Sequence, residues 1–186
     1  MASPKRLPRL AELARRLVRC GADNRGAAAV EFSMFVGLFI IGLLNTVDVA
    51  SYAYEDMEVQ GAAQMGAQAG WKTCAAPNLP ATTNCSGFSS AVSAAVQATS
   101  LGNSVTLASG SPSEGYYCVN SSGSLVSVSG VSNPPTDCSS VGNPGVAPGD
   151  YIQVQVQYKY TPIFTGITVG GSLPSSITSS SMMRIQ

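Results

Sequence analysis

Apolar and polar positions divide this chain into two parts with different periods. From Ala27 to Val47 the sequence AAAVEFSMFVGLFIIGLLNTV contains a single charge, Glu31, and it stops at Asp48. A helix over those 21 residues would span roughly 31 Å, matching the ~30 Å hydrocarbon core of a bilayer. The helical pattern continues beyond that point. Val47, Ala50, Tyr54, Met57, Gly61, Ala62, Met65 and Ala69 recur at i, i+3, i+4 as far as Gly70, predicting one helix of two halves, apolar first and then amphipathic. Asp48, Glu55, Asp56 and Glu58 fall in the second half, which emerges from the apolar zone. The stretch GAAQMGAQAG, Gly61–Gly70, is a poor helix by itself, because each glycine costs about 1 kcal/mol relative to alanine. Its small residues predict close packing against a domain or a neighbouring subunit.

After Trp71 the composition turns to Ser, Thr, Gly, Asn and Pro, and the period falls to two. Lys72–Gly87 is predicted as a loop and Phe88–Ser100 as a short amphipathic helix. Ser104–Ala108, Tyr116–Val119 and Leu125–Val128 are short strand candidates. The clearest strand is YIQVQVQYKY, Tyr151–Tyr160, where Ile152, Val154, Val156, Tyr158 and Tyr160 alternate with Gln153, Gln155, Gln157 and Lys159. That pattern describes an antiparallel strand with one buried face, and Pro162 ends it. Ser180–Ile185 is a weaker strand that would close the sheet. The expected fold class is α+β: a long N-terminal helix, part transmembrane and part amphipathic, followed by a small antiparallel-sheet domain with one short helix. The expected divisions are a basic leader at 1–26, the span at 27–47, its extension at 48–70 and the α+β domain at 71–186.

Charge gives this plan a direction. The net charge is zero, yet residues before Ala27 carry +5 and those from Ala27 onward carry −5. Basic residues flanking an apolar span stay on the cytoplasmic side, which predicts a cytoplasmic N-terminus and an exported C-terminal domain. A nucleic-acid role for the basic leader is the rival reading; no reader motif follows it, so no nucleic-acid partner is expected. Within the leader, Leu7, Leu10, Leu13, Ala14, Leu17 and Val18 predict a short amphipathic helix over Arg9–Cys20, lying on membrane lipid. The cysteines fit the same orientation. Cys20 precedes the span, while Cys74, Cys85, Cys118 and Cys138 follow it, which predicts two disulfides in an oxidising compartment. Of three possible connectivities, the local one, Cys74–Cys85 with Cys118–Cys138, is the expectation.

The chain contains no histidine, so Ser-His and Cys-His nucleophile pairs are absent, and no phosphate-cradling glycine loop occurs. Cysteine spacing offers no zinc pattern. Asp137 and Asp150 are expected to be solvated loop acids. No enzyme activity, catalytic residue, metal or cofactor is expected. The informative motif is instead Gly26-Ala27-Ala28-Ala29-Val30-Glu31-Phe32, in which a glycine closes the basic leader and a glutamate stands five residues later at the head of an apolar helix. An ionised acid at mid-membrane costs on the order of 2.5–3.5 kcal/mol, less near an interface, so Glu31 calls for a partner.

This motif resembles a type IV prepilin processing site. RGAAAVEF followed by an apolar run, a polar helix and a small-residue segment is similar to the TadE-like proteins of the tight-adherence (Tad/Flp, type IVc) pilus system. The long alternating strand with Thr161-Pro162 and the final Met183-Arg184 also fit that family. The resemblance implies a pseudopilin or minor pilin, cut by the prepilin peptidase between Gly26 and Ala27, with Glu31 as the fifth residue of the mature chain. It further implies that Glu31 pairs with the Ala27 amine of a neighbouring subunit. The implied partners are other pilin and pseudopilin subunits and the inner-membrane assembly platform, in the service of adherence and biofilm formation. Two alternatives stay open: an uncleaved TadG-like single-span protein with a periplasmic binding domain, and a secreted domain released by a signal-peptidase cut near Ser51 and Ala53.

Overall fold

The computed structural model describes residues 25–166 and 169–185. The leader helix expected over Arg9–Cys20, with Cys20 itself, lies outside those residues. Helix α1 runs unbroken from Arg25 to Thr73, 49 residues, or roughly 73 Å at about 1.5 Å per residue. Polar side chains in its apolar half turn back onto their own helix. Ser33 donates to the carbonyl of Val30 (2.8 Å), Asn45 to Ile41 (2.7 Å) and Thr46 to Gly42 (2.9 Å), so none of these donors needs water there. The helix ends three residues beyond the expected Gly70.

The domain that follows is one antiparallel sheet with short helices. Helix α2, Ala81–Asn84, and helix α3, Phe88–Val96, precede strands β1 (Val105–Leu107), β2 (Ser113–Val119), β3 (Leu125–Gly130), β4 (Gly149–Lys159) and β5 (Ser176–Arg184). The long alternating strand is the hub. β4 pairs with β5 along one edge, from Tyr151 opposite Arg184 to Lys159 opposite Ser176. Along its other edge it pairs first with β2 and then with β1, and β3 extends the sheet from β2. Ile152, Val154 and Val156 are fully buried, and Tyr160 nearly so. Gln155, Gln157 and Lys159 are exposed on the opposite face.

The second half of α1 packs across the buried face of this sheet, and the small residues allow the approach. Ala62, Ala63 and Ala67 are fully buried against Val92 and Val96 of α3 and Val154 of β4. At Gly70 an added Cβ would stand 3.1 Å from Phe88 and 3.2 Å from Ile152. The small-residue stretch therefore meets the chain's own domain. Each fully buried Val or Ile of this layer contributes about 1.5–3 kcal/mol.

Several expectations are corrected. α3 stops at Val96, short of Ser100, and gives way to turns and a 3-10 segment at Gly102–Ser104. The predicted loop at Lys72–Gly87 contains α2, whose first N–H groups are held from outside: Ala81 and Thr82 donate to the two carboxylate oxygens of Glu114, 2.8 Å each. A four-residue helix with an alanine and two threonines has little propensity to recommend it, and Glu114 supplies its N-terminal acceptor. Cys74 and Cys85 lie at disulfide distance with Cα atoms 5.7 Å apart, as do Cys118 and Cys138 at 5.6 Å.

Asp150 is not a solvated loop acid. It sits in β4 in the same inward register as Ile152 and is only 3% exposed. Burial, together with the Glu114 carboxylate beside it, pushes its pKa up to about 6. The folded state therefore binds a proton that the unfolded chain releases near pH 3.8. Stability from this group is complete below that pH and is lost as pH rises through about 6. The loss, discounted for solvent screening, is about 1–2 kcal/mol. Asp150→Asn is expected to flatten urea-denaturation midpoints between pH 4 and 8 and to raise the midpoint at the alkaline end. A variant midpoint that still falls across that range would assign the pH dependence elsewhere. Asp137 is the acid that does lie in a loop: the Ser139 hydroxyl, together with the N–H groups of Ser139 (3.0 Å) and Gly145 (3.2 Å), donates to its carboxylate and holds its pKa low.

Candidate assembly surface

The residues singled out for processing and assembly all lie in the first turns of α1. Gly26, Ala27, Glu31 and Phe32 are exposed. Residues 27 and 31 stand one turn apart on the same helical face. Among the described residues Glu31 has no hydrogen-bond or ion-pair partner. Gly26 has ordinary helical backbone, and a Cβ placed there would meet nothing within 4 Å. Among the described residues nothing thus requires glycine at 26, and a helical glycine costs about 1 kcal/mol relative to alanine.

From Glu31 onward the apolar half of the helix is bare. Phe32, Met34, Phe35, Leu38 and Phe39 are each about 70% exposed, and the apolar window of α1 has none of its residues buried inside the structure. A run of that length and composition can cross a membrane, and in water it would be a strong liability to aggregation. A shallow open groove along Phe35, Leu38, Phe39, Gly42, Leu43 and Thr46 is a feature of this bare face and not an enclosed cavity.

The change from bare to packed helix occurs within one turn. At Asp48 the side chain is fully buried, and its Oδ1 accepts the backbone N–H groups of Ile163 (3.1 Å) and Phe164 (3.2 Å). Tyr160 donates its hydroxyl to the Asp48 carbonyl at 3.3 Å. One turn earlier, Asn45 accepts the N–H of Val169 at 2.7 Å. Gly170 closes against this junction, since a Cβ there would stand 2.5 Å from Asp48 Oδ2. Tyr52 then packs edge-on against Tyr160 with ring centroids 4.9 Å apart. Further along, Glu58 accepts both the N–H (3.1 Å) and the hydroxyl (2.7 Å) of Ser100. Glu55 lies beside Tyr158; burial raises its pKa and the tyrosine hydrogen bond opposes the shift.

Asp48, Glu55 and Glu58 therefore tie α1 to the domain as acceptors, whereas Asp56 accepts from Gln60 of its own helix. Their partners lie as far as 116 positions along the chain, beyond any local pattern. The signal available in the sequence is position, because Asp48 interrupts the apolar helix where the span would end. Among the described residues no three of Cys, Asp and Glu group as metal ligands.

Residues 26–68 match the family model of TadE-like proteins. The match begins at the glycine of the processing motif and lies wholly inside α1, leaving the sheet outside it. No curated protein and no solved structure matches the chain.

Proposed function

We propose, on the premise that residues 26–68 form a TadE-like segment, that this protein is a minor pilin or pseudopilin of a Tad-type pilus. The observation that carries the reading is Glu31, without a partner among the described residues, at the head of a bare apolar helix and five residues after a glycine that the described part of the fold does not require. A glycine with no intramolecular reason is explained by a peptidase that needs an unobstructed backbone. A cut after Gly26 removes the basic leader and creates an α-amine on Ala27. That amine, on a neighbouring subunit, would neutralise Glu31 and offset its desolvation while fixing the stagger between helices. The bare helix serves twice in this reading, first as a single-pass anchor in the inner membrane and then as the packing surface among pilin and pseudopilin subunits at the assembly platform. The asymmetry of charge across the span supports a cytoplasmic leader and a periplasmic domain. The domain is a scaffold for contact, with the work of adherence and biofilm formation done by the assembled pilus.

The test is the N-terminus of the mature protein. A chain beginning at Ala27 supports processing. An intact leader would replace this reading with the uncleaved, TadG-like membrane protein, and a start near Tyr52 or Tyr54 with a secreted domain. In the processing reading Gly26→Leu leaves only the full-length mass when the protein is co-expressed with its prepilin peptidase, and a normal mature mass in that variant would refute the assignment of the cut. Glu31→Val is expected to insert and be processed normally yet to be depleted from sheared pili. Equal recovery of wild type and variant in the pilus fraction would remove the charge-pair role.

A further inference from the structure

We infer that the described parts of the β4–β5 connection, residues 161–166 and 169–172, form a second membrane contact, with Ile163 and Val169 seated in the lipid interface beside the end of the span. This rests on the reading of α1 as a membrane helix and adds to it a surface that lies outside the TadE-like match. Three features place it there.

The first is position. Asn45 and Asp48 hold Val169, Ile163 and Phe164 against the last turn of the apolar run, so the segment lies at the level where the helix would leave the hydrocarbon. The second is the character of what it exposes. Ile163 is 57% exposed and Val169 52%, and no charged residue occurs from Tyr160 to Met183. The nearby acid, Asp48, is fully buried and turned inward. The third is the backbone. Irregular chain is expensive near lipid because each unpaired N–H costs several kcal/mol. Here Ile163 and Phe164 donate to Asp48, Val169 donates to Asn45, Tyr160 donates to Ser175, and Pro162 has no N–H. Ile163 and Val169 outside, with the N–H groups of Tyr160, Ile163, Phe164 and Val169 satisfied inside, suit a segment that touches a bilayer. Asn45 and Asp48 tie the segment to the end of the bare apolar run of α1, which names the occupant: the lipid that surrounds the helix also receives the loop. Two contacts, one spanning and one interfacial, would fix the tilt of the domain on the membrane, which a single helix leaves open.

The chain's single tryptophan makes the test direct. Trp71 lies roughly 36 Å along the axis beyond Val47, so native protein in phosphatidylglycerol–phosphatidylcholine vesicles supplies the remote control. In a Trp71→Phe background, Ile163→Trp and Val169→Trp report the loop and Leu38→Trp the middle of the span, each in vesicles carrying lipid brominated near the headgroup or near the chain end. The expected result is that both loop probes are blue-shifted relative to native protein and lose most emission to the headgroup-proximal bromine, while Leu38→Trp loses most to the distal one. Loop probes unquenched by either lipid, with Leu38→Trp quenched, overturn the inference and leave the membrane helix standing. If Leu38→Trp is also unquenched, the membrane reading fails and the inference with it. A blue shift that grows with protein density and ignores bromine would assign the segment to protein contact and equally overturn it. Both loop positions are exposed, so tryptophan is accommodated without repacking, and agreement between them guards against a local fault in either.

Discussion

Gly66→Leu is expected to separate the long helix from its sheet, whereas the same change at Gly61 is expected to stabilise the protein slightly. A Cβ at position 66 would stand 2.8 Å from Val96 and 2.9 Å from Val154, while one at 61 meets nothing within 4 Å. Both valines are buried to within 1%, and they belong to different elements, so neither can retreat without moving α3 or β4. Overpacking of this kind costs typically 1–3 kcal/mol, and a leucine, larger than the methyl that already clashes, lies at or beyond the top of that range. Against a total stability of about 5–15 kcal/mol that is a severe loss. The melting temperature of the detergent-solubilised chain, followed by circular dichroism, should fall by on the order of 10 °C. Gly61→Leu keeps the same helix and adds up to about 1 kcal/mol of helical propensity. Equal melting temperatures for the two variants would show that the helix does not rest on the sheet through position 66.

The same glycine shows how far a sequence can be followed. The small-residue run announces a close approach but does not say by what, because a domain and a second subunit impose the same requirement. Val96 and Val154 answer it in favour of the domain. The period-two run from Ile152 to Tyr160 is legible because a strand alternates strictly and one face is dry. Followed back one more step, the same alternation reaches Asp150 and places it inside; an aspartate before a strand looks like a turn residue, and that local reading hid the register. α2 is illegible for a different reason, since it exists through Glu114 and the adjacent disulfide and not through its own four residues. Among the candidate assembly residues, the motif from Gly26 to Phe32 is entirely local and therefore visible. The junction at Asn45 and Asp48 depends on partners more than 110 positions away, and only the folded chain reveals it.

That junction yields the second large effect. Asp48→Ala removes the acceptor of two backbone N–H groups while the surrounding residues stay packed. Hydrogen bonds to a charged acceptor contribute about 1.5–3 kcal/mol each, and a buried donor left unpaired costs about 1–3 kcal/mol. The loss is local, because Tyr160 bonds the Asp48 main-chain carbonyl and not the carboxylate, and the sheet register is set by β4 and β5 along their whole length. Hydrogen exchange at the Ile163 and Phe164 amides is therefore expected to accelerate by on the order of 10- to 100-fold, with the amides of β4 unchanged. Asp48→Asn, which keeps one acceptor oxygen, should retain much of the protection. Asn45→Ala should release Val169 alone, and by less, since that bond is exposed. If exchange at 163 and 164 is the same in Asp48→Ala as in wild type, the segment is held by the close fit of Gly170 and Pro162 instead of by the carboxylate. The helix and the domain would then be joined by shape, and an acid at the end of the apolar run would need another reason to be there.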